Sequence, residues 1–393
     1  MKIPPKLPLL AVAGLLLTGF PSAFAQNWTL TSAPITNWSS VAMSAVGSHL
    51  VATVASGLIY LSTNGGTTWT ESDAPPRLWS TVATSADGNK WIAAGYGAAY
   101  VSTNAGANWT FNAITPTNNY WAAVGSSADG RILVAADLGT GAHFPSLLFV
   151  STNAGATWTV SVESVVNRIT AVATSADGIY WLATGEIFDM SILASSDRAH
   201  IWIETPSPKL AWTGTAVSAD GRVAVAAAGY SGIYVTPNRG TNWIATSVPY
   251  ASWRDVASSA DGSKLAAVAN SGLIYISTNS GVGWVSANAP ITNWSSVASS
   301  ADGSKLVAVV NGGGIYTWQA TPSPKLNITH SGNGLLISWI APSMPLVLQE
   351  TAGLNTTDWI DVPTQPALNL TNLHNEVVLP LSSSYRFYRL KSL

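Results

Sequence analysis

The chain repeats one arrangement of apolar and polar positions along most of its length. Short apolar runs such as Leu58-Ile59-Tyr60 are followed by a polar Ser-Thr-Asn segment, a Gly and then a Trp, as in residues 62–69. Runs of β-branched and aromatic residues predict strands. The polar segment predicts a tight turn, because Asn can bond the neighbouring backbone and Gly can take a positive φ. Each copy therefore predicts two strands joined by a turn.

Six copies of this turn are present, and each ends in a Trp whose large apolar body can pack beneath it. Five copies have an Asn, whereas the copy at Ser195-Ser196-Asp197 has an Asp. The copies begin at Ser62, Ser102, Ser151, Ser195, Thr236 and Ser277. Every residue of the motif has a structural role, so we expect no catalysis from the motif itself.

The turns belong to longer units that return every 41 or 42 residues over most of the chain. Each unit contains an aromatic residue, a strand, an Asp-Gly turn, a second strand, a Gly-rich turn, a third strand, the Asn turn and a fourth strand. Seven units begin at Trp38, Trp79, Trp121, Ile169, Trp212, Trp253 and Trp294. Four strands in a period of about 40–45 residues are typical of a propeller blade. We therefore predict an all-β fold, with a seven-bladed β-propeller at residues 26–318.

The two ends of the array predict that the ring closes on itself. The seventh unit stops after its third strand at Trp318, whereas the segment around Trp28 matches a fourth strand and resembles the one around Trp284. We expect the N-terminal strand to complete the last blade, because this pairing removes exposed strand edges.

The turn pattern Ser-x-Asn-x-Gly-x-x-Trp resembles the Asp-box, or BNR, repeat of sialidases, sortilin-type receptors and the propeller-type assembly factors of photosystem II. The family pattern has Asp where five of the six copies here have Asn, and Asn can make the same turn bonds. The resemblance covers most of the chain and implies a propeller. It implies no single function, because these families include hydrolases, receptors and scaffolds.

Residues 1–25 differ from the repeats. Lys2 and Lys6 precede an apolar stretch at residues 9–17, and Ala23-Phe24-Ala25 forms a small-x-small cleavage pattern. This arrangement predicts a secretory signal peptide. No later stretch has the roughly 20 apolar residues of a membrane span. We expect a protein without a membrane span after signal cleavage, either secreted or held in the cell envelope (periplasm).

A linker rich in Pro and Ser follows the array at residues 319–324. Residues 325–393 then show alternating strand patterns and predict a small all-β, sandwich-like domain. Its segments at residues 336–339, 354–359 and 386–390 resemble the C-terminal modules of secreted proteins from environmental bacteria. Such a module implies a passive accessory domain or a role in attachment or secretion sorting.

The composition excludes several functions. Charged residues make up 9% of the chain, against roughly 25% in a typical globular protein, and the formal net charge is −2. Nucleic-acid binding requires clustered positive charge, which this sequence lacks. The five His are dispersed and Cys is absent, so we expect no metal or other cofactor, and no disulfides. We expect a monomer.

One group of residues gathers on a single predicted face, where the loops between second and third strands meet the crossovers between blades. Seven acids of the array fall in Asp-Gly or Asn-type turns and eight do not. Of those eight, Asp137, Glu186 and Asp189 belong to the two longest of these loops, in neighbouring blades. Paired carboxylates are what a glycoside hydrolase requires. The alternative is that these are solvated insertion loops. The group consists of Asp137, His143, Phe144, Arg168, Glu186, Phe188 and Asp189.

The tryptophans that begin six of the seven units, Trp121 among them, have two interpretations. Rings repeated on one face could stack on sugars, whereas a residue present in nearly every blade could pack between blades. Sialidase activity is not expected. The family places one of its three substrate-binding arginines in a Phe/Tyr-Arg-Ile-Pro segment near the start, and this chain has no such segment.

The leading hypothesis is a secreted, non-enzymatic propeller that recognises an extracellular glycan or protein. Its predicted binding residues are Trp121, His143, Phe144, Arg168 and Phe188. The alternative is a glycoside hydrolase acting on an extracellular polysaccharide through Asp137 with Glu186 or Asp189. A third hypothesis is an assembly scaffold of the kind that the resemblance to photosystem factors implies.

Overall fold

The computed structural model describes residues 28–114, 120–138, 146–166, 168–185, 191–320, 326–331, 334–340, 346–352, 359–382 and 386–392. Within these ranges every regular element is a β-strand. The prediction of an all-β fold is confirmed, and most strands form four-stranded, propeller-like sheets. The described part of the chain contains no helix that could cross a membrane.

The strand β1 (Thr29–Leu30) precedes an antiparallel set of four strands that begins at the first leading Trp. These are β2 (Thr36–Met43), β3 (Leu50–Val54), β4 (Ile59–Ser62) and β5 (Thr70–Glu71). Strand β3 is buried along its whole length, whereas β5 is exposed. The inner strands therefore form the core and the fourth strand lies at the periphery.

Five four-stranded antiparallel sheets follow, each named here by its leading residue. The Trp79 sheet contains β6 (Trp79–Thr84), β7 (Trp91–Gly95), β8 (Ala98–Ser102) and β9 (Thr110–Asn112). The Trp121 sheet contains β10 (Trp121–Ser126), β11 (Leu133–Asp137), β12 (Ser146–Ser151) and β13 (Thr159–Val166). The Ile169 sheet contains β14 (Ile169–Thr174), β15 (Trp181–Gly185), β16 (Leu193–Ser195) and β17 (Ile203–Glu204).

The next two sheets repeat the same order. The Trp212 sheet contains β18 (Trp212–Val217), β19 (Ala224–Ala228), β20 (Gly232–Thr236) and β21 (Ile244–Ala245). The Trp253 sheet contains β22 (Trp253–Ser258), β23 (Leu265–Ala269), β24 (Ile274–Ser277) and β25 (Val285–Ser286). In each sheet the four strands are neighbours in chain order.

The last strands of the array pair with the first. Strands β26 (Trp294–Ser299), β27 (Lys305–Gly313) and β28 (Ile315–Gln319) are antiparallel neighbours. Strand β1 lies beside β28, with Thr29 opposite Thr317 and Leu30 opposite Tyr316. Strand β27 also pairs with the start of β2. The two sets therefore form one eight-stranded sheet.

Each leading aromatic packs against the sheet that precedes its own. Trp79 lies in one buried cluster with Val51 and Ile59, and Trp38 lies in another with Val307 and Ile315. A buried Trp removes about 150–250 Å² from water, which corresponds to about 4–6 kcal/mol of hydrophobic free energy. The repeated Trp therefore stabilises the junctions between sheets.

The Asn turns share one set of hydrogen bonds, shown by the copy after β8. The Ser102 Oγ donates to Asn104 Oδ1 at 2.9 Å and accepts from the Gly106 N–H at 2.9 Å. The Asn104 Oδ1 also accepts from the Asn108 N–H at 3.0 Å. Gly106 has a φ of 80°, and a side chain there would clash with the ring of Trp91. The turn thus needs each residue type that the motif repeats.

A series of backbone hydrogen bonds joins the inner turns of successive sheets. In each, an Ala N–H donates to the carbonyl of the matching Ala in the next set of strands, at 2.7–2.8 Å. The series ends with Ala301, which donates to Ala45 in the first set. These bonds pair backbone groups at the inner edge that the sheets leave free. The residues are Ala45, Ala86, Ala128, Ala176, Ala219, Ala260 and Ala301.

The C-terminal region forms two further sheets. Strands β29 (Asn327–Ser331), β30 (Gly334–Ile340), β33 (Ala367–Asn369) and β34 (His374–Pro380) form one, in the order β29-β30-β34-β33. Strands β31 (Leu346–Thr351), β32 (Ile360–Asp361) and β35 (Phe387–Ser392) form the other. Trp339 and Val377 of the first sheet share a buried cluster with Leu348 of the second, so the two sheets enclose one core.

Candidate functional site

The turns after the second strands and the crossovers between sheets lie together at one end of the array, called the loop face below. Backbone hydrogen bonds hold them in contact. The Tyr96 N–H donates to Leu78 O at 3.0 Å, the Leu138 N–H to Tyr120 O at 2.8 Å, and the Gly229 N–H to Ala211 O at 3.0 Å. Each turn is thereby fixed to the crossover that leads into its own sheet.

Asp137 is at the end of β11, on the loop face as predicted, but its side chain is only 5% exposed. Its Oδ1 accepts a hydrogen bond from the Leu147 N–H at 2.6 Å. The carboxylate therefore joins the two ends of the loop between β11 and β12. This contact gives Asp137 a structural role in holding the loop.

Arg168 lies in the crossover before Ile169 and is exposed. Its N–H donates to Ser146 Oγ at 2.9 Å, and the Ile169 N–H donates to the same oxygen at 3.0 Å. Arg168 has a φ of 68°, a region that residues with a side chain rarely adopt. Because Ser146 precedes Leu147, these bonds bring Arg168 to the same end of the Trp121 sheet as Asp137.

Trp121 does not present its ring to solvent. It is 1% exposed and makes an edge-to-face contact with Phe149 at 5.3 Å between ring centroids. The five other leading tryptophans are also at most 1% exposed. This burial favours the interpretation that the repeated Trp packs between sheets. The remaining predicted site residues, His143, Phe144, Glu186, Phe188 and Asp189, lie outside the described residues.

Two pairs of tyrosines that the sequence did not single out lie on the loop face. Tyr96 is 55% exposed, and its ring centroid lies 6.5 Å from that of Tyr120. Tyr230 and Tyr250 are 64% and 75% exposed, and their centroids are also 6.5 Å apart. In each pair one ring comes from a turn and the other from the crossover into the next sheet. A backbone bridge joins Tyr96 to Tyr120, and the Trp253 N–H donates to Gly229 O at 2.8 Å beside the second pair.

The loop face has exposed charges of both signs within the part of the chain that the structure describes, and Asp73 is an exposed acid in the crossover before Trp79. Arg168 and Lys209 are exposed in crossovers, and Arg254 is exposed directly after Trp253. The Asp-Gly turns, in contrast, lie at the opposite end of the sheets and carry six aspartates. These are Asp87, Asp129, Asp177, Asp220, Asp261 and Asp302. Basic residues follow the same turns, among them Lys90, Arg131, Arg222 and Lys264, so the charges of that end are largely balanced.

Asp255 is a further acid without a turn role, and the structure places it at the junction of β22 and β26. Its carboxylate accepts from the Val256 N–H at 2.9 Å, from Ser296 Oγ at 2.8 Å and from the Val297 N–H at 3.0 Å. Burial raises the pKa of Asp255 to about 6, although the three hydrogen bonds act in the opposite direction. Its contacts are those of an inter-sheet bridge.

The described acids do not form a catalytic pair. Asp137 and Asp255 belong to different junctions, and each is bonded to backbone N–H groups. Among the described residues no group of three or more His, Cys, Asp or Glu could hold a metal ion. What the loop face does present is aromatic area with basic groups, an arrangement suited to binding.

No protein-family model matches the chain, and no curated protein matches it. The chain is similar to the solved structure of YCF48 bound to D1 peptide, with 13% identity and a TM-score of 0.57. The match covers 76% of this chain and 97% of that one. At this identity the likeness shows the fold alone. It confirms the prediction of a β-propeller fold.

Proposed function

We propose that this chain is a secreted or envelope-located, non-enzymatic propeller that binds an extracellular protein through its loop face. The observation that carries the proposal is the pair of exposed tyrosine contacts, Tyr96 with Tyr120 and Tyr230 with Tyr250. Tyrosine is enriched at protein interfaces, because its ring supplies apolar area and its hydroxyl can form a hydrogen bond.

The exposed basic residues Arg168, Lys209 and Arg254 favour an acidic segment of the partner protein as the ligand. The exposed Arg168 can bind a carboxylate through two parallel hydrogen bonds. The carboxylate of its neighbour Asp137 is buried and bonded to the Leu147 N–H, so it is not exposed to an incoming ligand as the Arg168 side chain is. YCF48 has been solved with a D1 peptide, which supports a peptide as the type of ligand.

The architecture that we propose is a ring of seven blades closed by β1 and built from Asp-box repeats. Its support is the series of Ala hydrogen bonds that returns from Ala301 to Ala45, together with the pairing of β1 and β28. Residues 1–25 are proposed to be a cleaved signal peptide, residues 319–324 a linker, and residues 325–393 an accessory domain.

A glycoside hydrolase receives no support from the described geometry. Of its predicted carboxylates only Asp137 lies in the described residues, and that carboxylate holds the Leu147 N–H. A carboxylate that is 5% exposed and engaged in this way is poorly placed to act on a polysaccharide.

The proposal is tested by measuring binding of purified residues 26–393 to arrays of acidic, neutral and basic peptides and of glycans, with released sugar assayed in parallel. Replacing both Tyr230 and Tyr250 with Ala should weaken binding to the best acidic peptide by roughly 30-fold, the effect of losing an interface hot spot. Arg168→Ala should weaken it less, and most at low salt.

The matched control replaces two exposed residues outside the loop face, Val282 and Val285, which are 79% and 66% exposed. This variant should bind as the wild type does. Equal losses in both double variants would contradict a site at the tyrosines. Binding to glycans alone would assign a different ligand to the protein, and release of sugar would favour the hydrolase.

A further inference from the structure

The inner turns of the sheets enclose a cavity of about 170 Å³ at the end opposite the loop face. The alanines that form the hydrogen-bonded series line it. The last residue of each innermost strand adds a second layer to the wall, from Met43 and Val217 in two cases and from hydroxyl residues in the others. The cavity thus marks the mouth of the channel around which the sheets are arranged.

The hydroxyl groups of this second layer already donate hydrogen bonds within the protein. Those of Thr84, Ser126, Thr174, Ser258 and Ser299 each donate to the carbonyl of the following residue, at 2.9–3.1 Å. Because their protons point to the backbone, the mouth combines hydroxyl oxygens with the methyl and methylene groups of Ala, Met and Val. Such a surface suits a small apolar side chain.

One lining residue of the cavity comes from outside the propeller, within the described part of the chain. Leu373 belongs to the turn between β33 and β34 of the C-terminal domain. Burial lowers the pKa of the neighbouring His374, and the charge of Asp261 acts on this pKa in the opposite direction. Asp261 lies in an Asp-Gly turn of the propeller. Two adjacent residues of the turn therefore lie close to the same face of the propeller.

The turn is built to hold its shape. The Leu373 N–H donates to Asn369 O at 2.8 Å, and the His374 N–H donates to Asn372 Oδ1 at 2.9 Å. Glu376 accepts from the side-chain amides of Asn369 and Asn372, each at 3.0 Å. A rigid turn loses little freedom when it docks.

Leu373 has a φ of 58°, a left-handed conformation that Gly or Asn adopts far more readily than Leu. Asn would adopt this conformation more easily, but Asn is at position 372 and Leu is at position 373. Residues with a strained backbone persist where surrounding contacts hold them, and they are frequent at sites of function. The use suggested by the cavity is contact with its apolar wall.

We propose that the C-terminal domain is a built-in stopper of the channel, in which the β33–β34 turn presents Leu373 to the Ala-lined mouth. The turn thereby lies at the channel mouth on the end opposite the loop face. This inference does not depend on the identity of any ligand, so its failure and the failure of the proposed function are separate results.

Cross-linking in the full chain tests the stopper, and the absence of native Cys makes introduced thiols unique. Leu373→Cys is combined with Ser258→Cys, which lies in the wall near Asp261, and treated with a short bis-maleimide at low protein concentration. We expect an intramolecular cross-link, identified by peptide mass spectrometry, to form at least tenfold faster than in the control. The control pairs Ser258→Cys with Val378→Cys, a 58% exposed position on β34.

A second pair, Thr371→Cys with Ser258→Cys, reports docking while Leu373 is varied, because Thr371 is exposed and bonds the turn through its backbone N–H. Leu373→Asp should slow its cross-linking at least fivefold, whereas the similar-sized Leu373→Met should not. If Ser258→Cys prevents folding, as judged by circular dichroism, Val217→Cys supplies another position in the wall. A 373–258 cross-link no faster than the control would overturn the proposal, and so would an unchanged rate in Leu373→Asp.

Discussion

Asp255 occupies a position at which three other sets of strands have a hydroxyl residue, Ser40, Thr81 and Ser296. Ser40 Oγ accepts from the Val82 N–H at 3.3 Å, and Thr81 Oγ1 accepts from the Val124 N–H at 3.3 Å. Asp255 makes the matching bond to the Val297 N–H and adds a bond to Ser296. The carboxyl therefore extends a repeated contact, but it also places an ionisable group where water is scarce.

The pKa of Asp255 predicts how stability depends on pH. Burial raises this pKa from 3.8 to about 6, so the folded protein holds the proton of Asp255 more tightly than the unfolded chain does. The protonated carboxyl therefore contributes its full stabilisation below a pH of about 4. That contribution is lost as the pH rises through 6, and a shift of this size corresponds to about 3 kcal/mol. Between pH 4 and 7 the unfolding free energy of the wild type should fall by about this amount relative to Asp255→Asn, measured by urea unfolding.

Asp261 provides the opposite case as a control. Burial alone would raise its pKa, but bonds from Ser259 and Ser263 hold the pKa below its ordinary value. Asp261→Asn should therefore remove stability that is present above pH of about 4 and lost below it. If wild type and Asp255→Asn show parallel pH profiles, Asp255 does not titrate in the way described.

At the scale of the element, the Asn turn depends on a buried hydroxyl at its first position. Ser62, Ser102, Ser151 and Ser277 each accept the N–H of the Gly four residues later at 2.9 Å. Thr236 makes the same bond to Gly240 at 3.0 Å. The turn therefore accepts either hydroxyl residue, because only the oxygen is required.

We predict that Ser102→Ala destabilises the protein by about 1–3 kcal/mol, because it leaves the buried Gly106 N–H without a partner. Ser102→Thr should cost much less, since Thr236 performs the same role. Thermal and urea unfolding of the two variants measure the difference. Equal costs for Ala and Thr would mean that packing around Ser102, and not its hydrogen bond, stabilises the turn.

At the scale of the whole molecule, the ends of the array are joined by β1 and by the residue before it. Trp28 is 7% exposed and lies in a cluster with Val268 and Ile274 of the Trp253 sheet. Its ring centroid lies 6.0 Å from that of Trp294. The N-terminal segment therefore fills a gap between two sheets that are distant from it in sequence.

We predict that Trp28→Ala lowers the free energy of unfolding by about 3–5 kcal/mol, the usual cost of removing a buried Trp. Leu30→Ala, in the same strand but at a 49% exposed position, is the control and should cost far less. Both are measured by urea unfolding with fluorescence and circular dichroism. Similar costs for the two variants would show that the N-terminal segment contributes little to closure.

Local patterns were enough to predict the strands and turns. Trp79, Trp121 and Trp253 each begin a strand, as the unit boundaries predict, and Asp137 and Arg168 lie on one face, as counting strand directions predicts. The orientation of the Trp rings was not predictable. Stacking on a ligand and packing between sheets both require the same repeat. The packing of Trp121 against Ile92 and Ala99 of the preceding sheet favours the second interpretation.

The tyrosine pairs had only a weak sequence signal. Tyr96 and Tyr230 stand in turns where other units have Ser or Gly, and a large exposed ring in such a turn is a departure from the repeat. Nothing in the sequence indicates that each ring meets a second tyrosine. Their pairing follows from the backbone contacts between each turn and the crossover into the next sheet.

The sequence by itself determined the repeat, its strands and the hydrogen bonds of its turns, because these interactions join residues within about five positions of one another. Tertiary structure alone decided that Ala301 bonds Ala45, that Tyr230 meets Tyr250 and that Leu373 reaches the channel mouth. These contacts depend on how the rotations between successive sheets add up around the molecule. The sum of these rotations is set by the packing of all the sheets, so it cannot be read from any short stretch of the chain.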